Sequence, residues 1–207
     1  VAQSFIHNGL RWSSSRAYLR PAVKRPNLRV MARTLVAHVL FAKGTAIGIE
    51  VADRQGRLTI TCEREVILCA GAVNTPKLLM LSGIGPADEL RRHGIGVVAD
   101  IAAVGSNLQN HPGVDLQFST RYEDSLTAQL NLFGRAKLGA DWVIRRKGLG
   151  TTNFFETVAF LRTRDDVDFP NMQYEFLPLT RKLVNGKLIP IPGFQVWMDL
   201  SRPESRG

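Results

Sequence analysis

Residues 65–85 read EVILCAGAVNTPKLLMLSGIG, and they contain the clearest structural signals in the sequence. The short apolar run 66–69 is bounded by charged residues before it and by a glycine after it, which is typical of a buried strand. Ala70 and Gly71 follow with almost no side-chain bulk, so another backbone or a flat ligand can come close to this turn. The stretch therefore begins as a strand that leads into an open turn.

A helix is predicted directly after this turn. Asn74 or Thr75 can cap it, and Pro76 suits its first position because that position has no intrahelical N–H bond to lose. The helix should end at Ser82, where Gly83 can take the left-handed conformation.

A second, shorter helix is predicted from Pro86 to His93. Asp88 and Glu89 lie in its first turn and two arginines in its last, an order that matches the helix macrodipole, and Gly94 ends it. The unit is thus strand, turn, helix, turn, helix. In open α/β sheets, ligands bind beyond the carboxyl ends of strands, where such turns lie.

Short strands flank this unit on both sides. A helix over 16–19 is expected to end before Pro21. The first expected strand is 28–32, followed by an antiparallel meander of 36–41, 46–51 and 57–62. Later strands are expected at 114–120, 153–162, 172–177 and 194–200. An amphipathic helix is expected over 128–146. That helix should pack on its own domain, with a membrane surface as the alternative. The later strands suggest an antiparallel sheet with one face toward a core or cavity.

The bulk composition is that of a globular chain, with 207 residues, 44% hydrophobic and 22% charged. The formal charge of +9 raises nucleic-acid binding as a hypothesis. The basic residues are scattered, however, so a solvated basic surface is preferred. No apolar run is long enough for a transmembrane helix, and Val1 is expected to be an internal position.

The cysteines and histidines predict neither a disulfide framework nor a metal site. Cys62 and Cys69 are expected to be buried small hydrophobes rather than a bridged pair. No two histidines have metal-ligand spacing with a cysteine or carboxylate. His111, before Pro112, is expected to be structural.

Two segments carry a family resemblance. Residues 71–85, GAVNTPKLLMLSGIG, resemble the second signature of the glucose–methanol–choline (GMC) flavin oxidoreductases, and 104–112, VGSNLQNHP, resemble the segment that follows it. The family usually has aspartate where this chain has Asn110. The resemblance extends from about Gly9 to Gly207.

This resemblance implies an α/β (α+β) fold with part of a Rossmann-like FAD-binding domain, 1–112, and part of an antiparallel-sheet substrate domain, 113–207. It covers only the middle of the family, because the glycine-rich pyrophosphate loop and the C-terminal catalytic histidine are not in this sequence. No catalytic residue is therefore assigned.

The resemblance also implies cofactor-binding residues. Val36 corresponds to a strand that lies along the adenine of FAD and contacts it through backbone N–H and C=O groups. Ala70 and Gly71 form the matching close-approach turn. Plain core packing is the alternative for all three residues.

A substrate-binding carboxylate is predicted at Glu156, which would share a strand face with Phe154, Val158 and Phe160. A buried carboxylate needs a partner. The strand resembles one in choline-oxidising members of the family, where a glutamate faces the trimethylammonium group beside aromatic rings. A salt bridge to an arginine is the alternative.

The implied reaction of the parent protein is oxidation of a small alcohol, with hydride transfer to the flavin and with oxygen or a quinone as acceptor. We expect a cytoplasmic location, with a peripheral place at a membrane as the alternative. Two other functions stay open: a non-catalytic, truncated remnant of the family, and a basic nucleic-acid-binding protein.

Overall fold

The computed structural model describes residues 6–54, 56–121, 126–155 and 157–207, without the side chains of 128 and 129. They form two compact units. The signature unit comprises Arg29–Gln109 with Ser205–Gly207, and the sheet unit comprises Val1–Leu28 with Asn110–Glu204. The predicted functional domains, 1–112 and 113–207, stay predictions.

The described residues combine helices with antiparallel sheets, which confirms the predicted mixed fold class. The strands are β1 (Ile6–His7), β2 (Leu10–Arg11), β3 (Leu35–Ala42), β4 (Thr45–Asp53), β5 (Gly56–Thr61), β6 (Ile84–Gly85), β7 (Ala99–Asp100), β8 (Gly113–Ser119), β9 (Thr157–Leu161), β10 (Met172–Leu177), β11 (Thr180–Val184), β12 (Lys187–Ile191) and β13 (Gly193–Leu200). The α-helices are α1 (Arg20–Ala22), α2 (Gly71–Leu81), α3 (Ala87–Arg92) and α4 (Leu132–Ala140). Single π-helical turns cover Ser15–Leu19 and Asp141–Arg145, and 3₁₀ turns cover Leu126–Leu130 and Leu149–Thr151.

The predicted meander of the signature unit is confirmed. Strands β3, β4 and β5 pair in that order, all antiparallel, so β3 lies at one edge of the sheet. The β3–β4 register shifts between Val36 and His38. The strand predicted at 28–32 is wrong, because these residues form irregular backbone and a turn before β3.

The strand predicted at 66–69 is also wrong. The segment is irregular and forms no ladder with any strand in the described ranges. Val66 and Leu68 are half-buried, whereas Ile67 and Cys69 are exposed. The apolar run thus alternates as extended backbone does, but composition alone cannot supply the hydrogen-bonded neighbour that makes a strand.

Helix α2 begins five residues earlier than predicted. Its N-cap is Ala70, and Pro76 lies inside the helix rather than at its first position. Thr75 does not cap the helix in the ordinary way, since its side-chain oxygen instead accepts the N–H of Ala70 at 3.1 Å. The predicted end is confirmed, with Ser82 as the C-cap and Gly83 at φ +85°.

The second helix, α3, follows the prediction closely. Pro86 is its N-cap residue, and its first and last turns carry the expected acids and arginines. The carboxylate of Asp100 accepts the N–H of Ala87 at 3.0 Å, which satisfies one of the free donors at the helix start. Asp100 lies on β7, which pairs in parallel with β6. The start of α3 is thus fixed to the short sheet formed by β6 and β7.

The sheet unit contains the predicted antiparallel sheet, in the order β8-β13-β10-β9. Phe194 on β13 stacks on Phe118 with ring centroids 4.9 Å apart and lies 5.6 Å from Phe176. No strand was predicted between 177 and 194, where the structure has the β11–β12 hairpin. Asn185 and Gly186 both have positive φ at its turn, and a two-stranded ribbon tolerates Pro190 because an edge N–H needs no strand partner.

The helical regions of the sheet unit differ in part from the predictions. The first helix continues through Pro21 as α1 instead of ending before it. The predicted helix over 128–146 divides into the 3₁₀ turn, α4 and a π-helical turn. Two of the apolar side chains expected to pack are exposed, Leu132 by 87% and Ile144 by 78%. One contact of this region within the unit is made by Trp142, whose indole N–H donates to the carbonyl of Gly9 at 2.8 Å.

The end of α2 predicts a strong requirement for glycine at position 83. A Cβ there would clash with the carbonyl oxygen of Gly96 and lie 2.9 Å from Cγ2 of Val98. Gly94 also has positive φ, but a Cβ there meets nothing within 4 Å. We expect Gly94→Ala to cost about 1 kcal/mol of backbone strain and Gly83→Ala about 3 kcal/mol or more, measured by urea denaturation. Equal losses would contradict the packing described at Gly83.

Candidate functional site

A cavity of about 1020 Å³ lies within the signature unit. One wall is formed by α2, including Ala72, Val73 and Met80. The loop 103–109 and part of α3 also line the cavity. The lining is mainly apolar. A cavity of this size and character can hold a large ligand or receive another part of a longer polypeptide.

The loop 103–109 is held in place by contacts at Gly105 and at Leu108. A Cβ on Gly105 would lie 3.4 Å from the sulfur of Met80, so the loop packs closely on α2. Leu108 exchanges two backbone hydrogen bonds with Gly207, each 2.9 Å long. Asn107 between them has φ +62°, a conformation that few residues other than glycine adopt.

The turn at the start of α2 adjoins this cavity. Gly71 has φ +86°, and a Cβ there would meet nothing within 4 Å. Ala70 and Gly71 are both exposed, and the next two residues of the helix line the cavity. The Ala70 N–H to Thr75 bond described above holds the turn. A flat ligand could therefore approach this backbone without obstruction from a side chain.

Val36 is half-buried on the edge strand β3. An edge strand has one row of backbone N–H and C=O groups that the sheet does not pair. One of these unpaired backbone groups on β3, the N–H of Val39, donates to the hydroxyl of Ser82 at 2.8 Å. The strand is thus of the kind that can contact a ligand through its backbone, as predicted for Val36. Helix α2 packs against β3, so Val36 and Gly71 lie on two packed elements of one unit.

The predicted substrate site is described only in part. Glu156 lies outside the described residues. Phe154 has φ +65° and precedes β9, which starts at Thr157, so the expected face of alternating residues does not extend back to it. On β9 itself, Val158 is half-buried and Phe160 is 56% exposed. The prediction of one continuous strand face through Phe154 is wrong, because the positive φ there interrupts the extended backbone.

The cysteines are free thiols, and only one has the predicted environment. Cys62 is half-buried, with its sulfur 3.7 Å from the carbonyl oxygen of Ala46. Cys69 is exposed, so the prediction that it is buried is wrong; it belongs to the segment that lacks a strand partner. In the described ranges, no group of three potential ligand side chains could hold a metal ion.

His111 has a contact that suits its predicted structural role. Its Nδ1 lies 3.0 Å from the carbonyl oxygen of Leu200, at the end of β13. The carbonyl oxygen of Pro112 accepts the N–H of Leu200 at 3.0 Å. Together these contacts join the chain before β8 to the end of the neighbouring strand.

Sequence reasoning missed the role of Ser82. Its hydroxyl donates to the carbonyl of Leu78 at 2.6 Å and accepts the N–H of Val39, and the residue is only 7% exposed. Ser82 was visible within the quoted signature. Its partner Val39 lies 43 positions earlier, however, and no local pattern indicates so distant a contact.

Comparison with known proteins identifies the family. The family model described as GMC oxidoreductase matches residues 2–113. This chain belongs to the GMC oxidoreductase family. The membership confirms the family predicted from the sequence and, with it, FAD as the cofactor.

Similar curated proteins are oxygen-dependent choline dehydrogenases. That of Brucella anthropi is 45% identical over 202 residues, which is 98% of this chain and 37% of the relative. That of Burkholderia thailandensis is 40% identical over 199 residues, 96% of this chain and 35% of the relative. The chain therefore spans little more than a third of the length of these relatives.

Solved structures share the fold. One is a variant of formate oxidase from Aspergillus oryzae that was studied for its FAD modification. It is 27% identical, with a TM-score of 0.82, and the match covers 97% of this chain and 39% of the oxidase chain. A fungal aryl-alcohol oxidase is 19% identical, with a TM-score of 0.75 over 100% of this chain and 42% of its own, and shows the fold alone. Within the described part of this chain, no helix is long and apolar enough to cross a membrane.

Proposed function

We propose that this chain is part of an FAD-dependent oxidoreductase that oxidises a small alcohol of the choline class. The observation that carries the proposal is the 45% identity to an oxygen-dependent choline dehydrogenase over 98% of the chain. Identity at this level along almost the whole chain favours a shared reaction more strongly than fold alone can. Oxygen is the proposed electron acceptor, because that relative is an oxygen-dependent enzyme.

The backbone of the signature unit fits the proposed cofactor. FAD supplies the redox chemistry, accepting hydride from the alcohol when it is bound. Residues of this chain would hold it: Val36 through the edge of β3, and Ala70 with Gly71 through the turn before α2. The fit rests on the open space at Gly71, where even a Cβ would find no neighbour within 4 Å. Backbone contacts of this kind would orient the cofactor without requiring any particular side chain.

The function is tested on the complete protein with its native cofactor. We expect a yellow protein whose flavin absorbance bleaches when choline is added without oxygen and returns when oxygen is admitted. A protein that lacks flavin would instead favour a non-catalytic remnant of the family. Flavin that no alcohol bleaches would overturn the proposed reaction.

Gly71 offers a matched test of the cofactor site. Gly71→Ala and Gly94→Ala both place a Cβ at positive φ in open space, so both should carry similar backbone strain, about 1 kcal/mol. Only Gly71 is proposed to face FAD. We expect the dissociation constant for FAD, measured by quenching of flavin fluorescence in the apoprotein, to rise about tenfold or more for Gly71→Ala and to change little for Gly94→Ala. Equal effects of the two substitutions would contradict a cofactor contact at Gly71.

Glu156 is proposed to face the cationic group of the substrate. Glu156→Gln keeps the shape and removes the charge, so it should impair oxidation of a quaternary ammonium alcohol more than that of a neutral alcohol of similar size. We expect kcat/KM for choline to fall about tenfold or more, with a smaller change for the neutral alcohol. The control is Glu175→Gln on β10, which should affect both substrates alike. Equal losses for both alcohols in Glu156→Gln would remove the proposed role.

A further inference from the structure

The hydroxyl of Ser82 joins the helix and the strand that carry the proposed FAD contacts. It lies at the C-cap of α2, whose first residue is Gly71, and it accepts a hydrogen bond from β3, which contains Val36. It also donates to the carbonyl of Leu78 in the last turn of α2. One side-chain oxygen thus serves as acceptor for the strand and as donor to the helix.

This junction is buried on every side. Val39 is 5% exposed, Leu78 is 9% exposed and Ser82 is 7% exposed. A buried backbone N–H that loses its acceptor has no water to replace it. Without the hydroxyl, Val39 could recover a partner only if β3 moved relative to α2.

The ladder of hydrogen bonds to β4 holds β3 less firmly than an uninterrupted ladder would hold a strand. The position of β3 therefore depends more strongly on the bond to Ser82. The β3–β4 register shifts between Val36 and His38, so the ladder is interrupted at Ala37, two residues before Val39. A register shift lets a strand bend locally. The bond to Ser82 lies on the far side of that shift from Val36 and fixes the strand against the helix.

We propose that Ser82 is a positioning residue for FAD, which sets the place of the Val36 backbone relative to the turn at Gly71. This inference rests on the proposed function. Both proposed contacts are made by backbone, so their spacing is set by how α2 and β3 pack and not by the side chains at the contact. The adenine end of FAD, assigned to Val36, should be the part that responds.

The test measures nucleotide binding to the complete apoprotein with FAD and with ADP, which carries the adenine end alone. We expect Ser82→Ala to raise the dissociation constants for FAD and for ADP by about tenfold each, as loss of one hydrogen bond would do. Ser82→Thr keeps the hydroxyl and should restore most of both affinities. The control is Leu177→Val, a buried substitution on β10 of the sheet unit, which should leave both affinities near those of the unchanged protein.

The outcomes separate this inference from the proposed function. If the unchanged protein binds no FAD, the proposed function itself fails. If it binds FAD and Ser82→Ala binds FAD equally well, the positioning role fails. Weaker FAD binding with unchanged ADP binding, or equal weakening in Leu177→Val, would also overturn it. Should Ser82→Ala not fold, Ser82→Cys takes its place with the same expected direction, because a thiol is a weak donor and a weak acceptor.

Discussion

The signature unit depends on the junction at Ser82 and Gly83. The serine hydroxyl connects the end of α2 to β3, and the carbonyl of Gly83 accepts the N–H groups of Val98 and Ala99 at 2.8 and 3.1 Å. These contacts join the end of α2 to the meander and to the segment that contains β7. Gly83 is required there because its positive φ and the neighbouring carbonyl of Gly96 leave no room for a side chain. The order serine, glycine at the end of α2 thus has a direct physical cause.

Local patterns predicted the elements that local forces determine. The meander β3–β5, helix α3 with its charge order, the end of α2 and the strand β10 all follow from alternation, capping and glycine placement. The start of α2 was misjudged because proline favours the first position of a helix and is disfavoured inside one, whereas Pro76 lies inside α2. The β11–β12 hairpin was missed because Pro190 argues against a strand unless that strand lies at an edge.

The candidate site could be predicted from the sequence only where residue type limits the backbone conformation. Small residues at Ala70 and Gly71 indicated an open turn, and the structure has one. The apolar run before them could not reveal that it lacks a partner strand, since pairing depends on residues far away. The contact between Ser82 and Val39 had no sequence signal for the same reason. The family resemblance supplied the roles of Val36 and Glu156, which no physical pattern in the chain assigns.

The most direct test of the account is hydrogen–deuterium exchange of the complete apoprotein with and without FAD. Exchange reports the protection of backbone amides, and the proposed cofactor contacts are backbone contacts. The account predicts that FAD slows exchange in peptides covering β3 and the turn at Ala70–Gly71, while the exposed β11–β12 hairpin exchanges at an unchanged rate. Unchanged exchange at both β3 and the turn, in a protein that binds FAD, would contradict it.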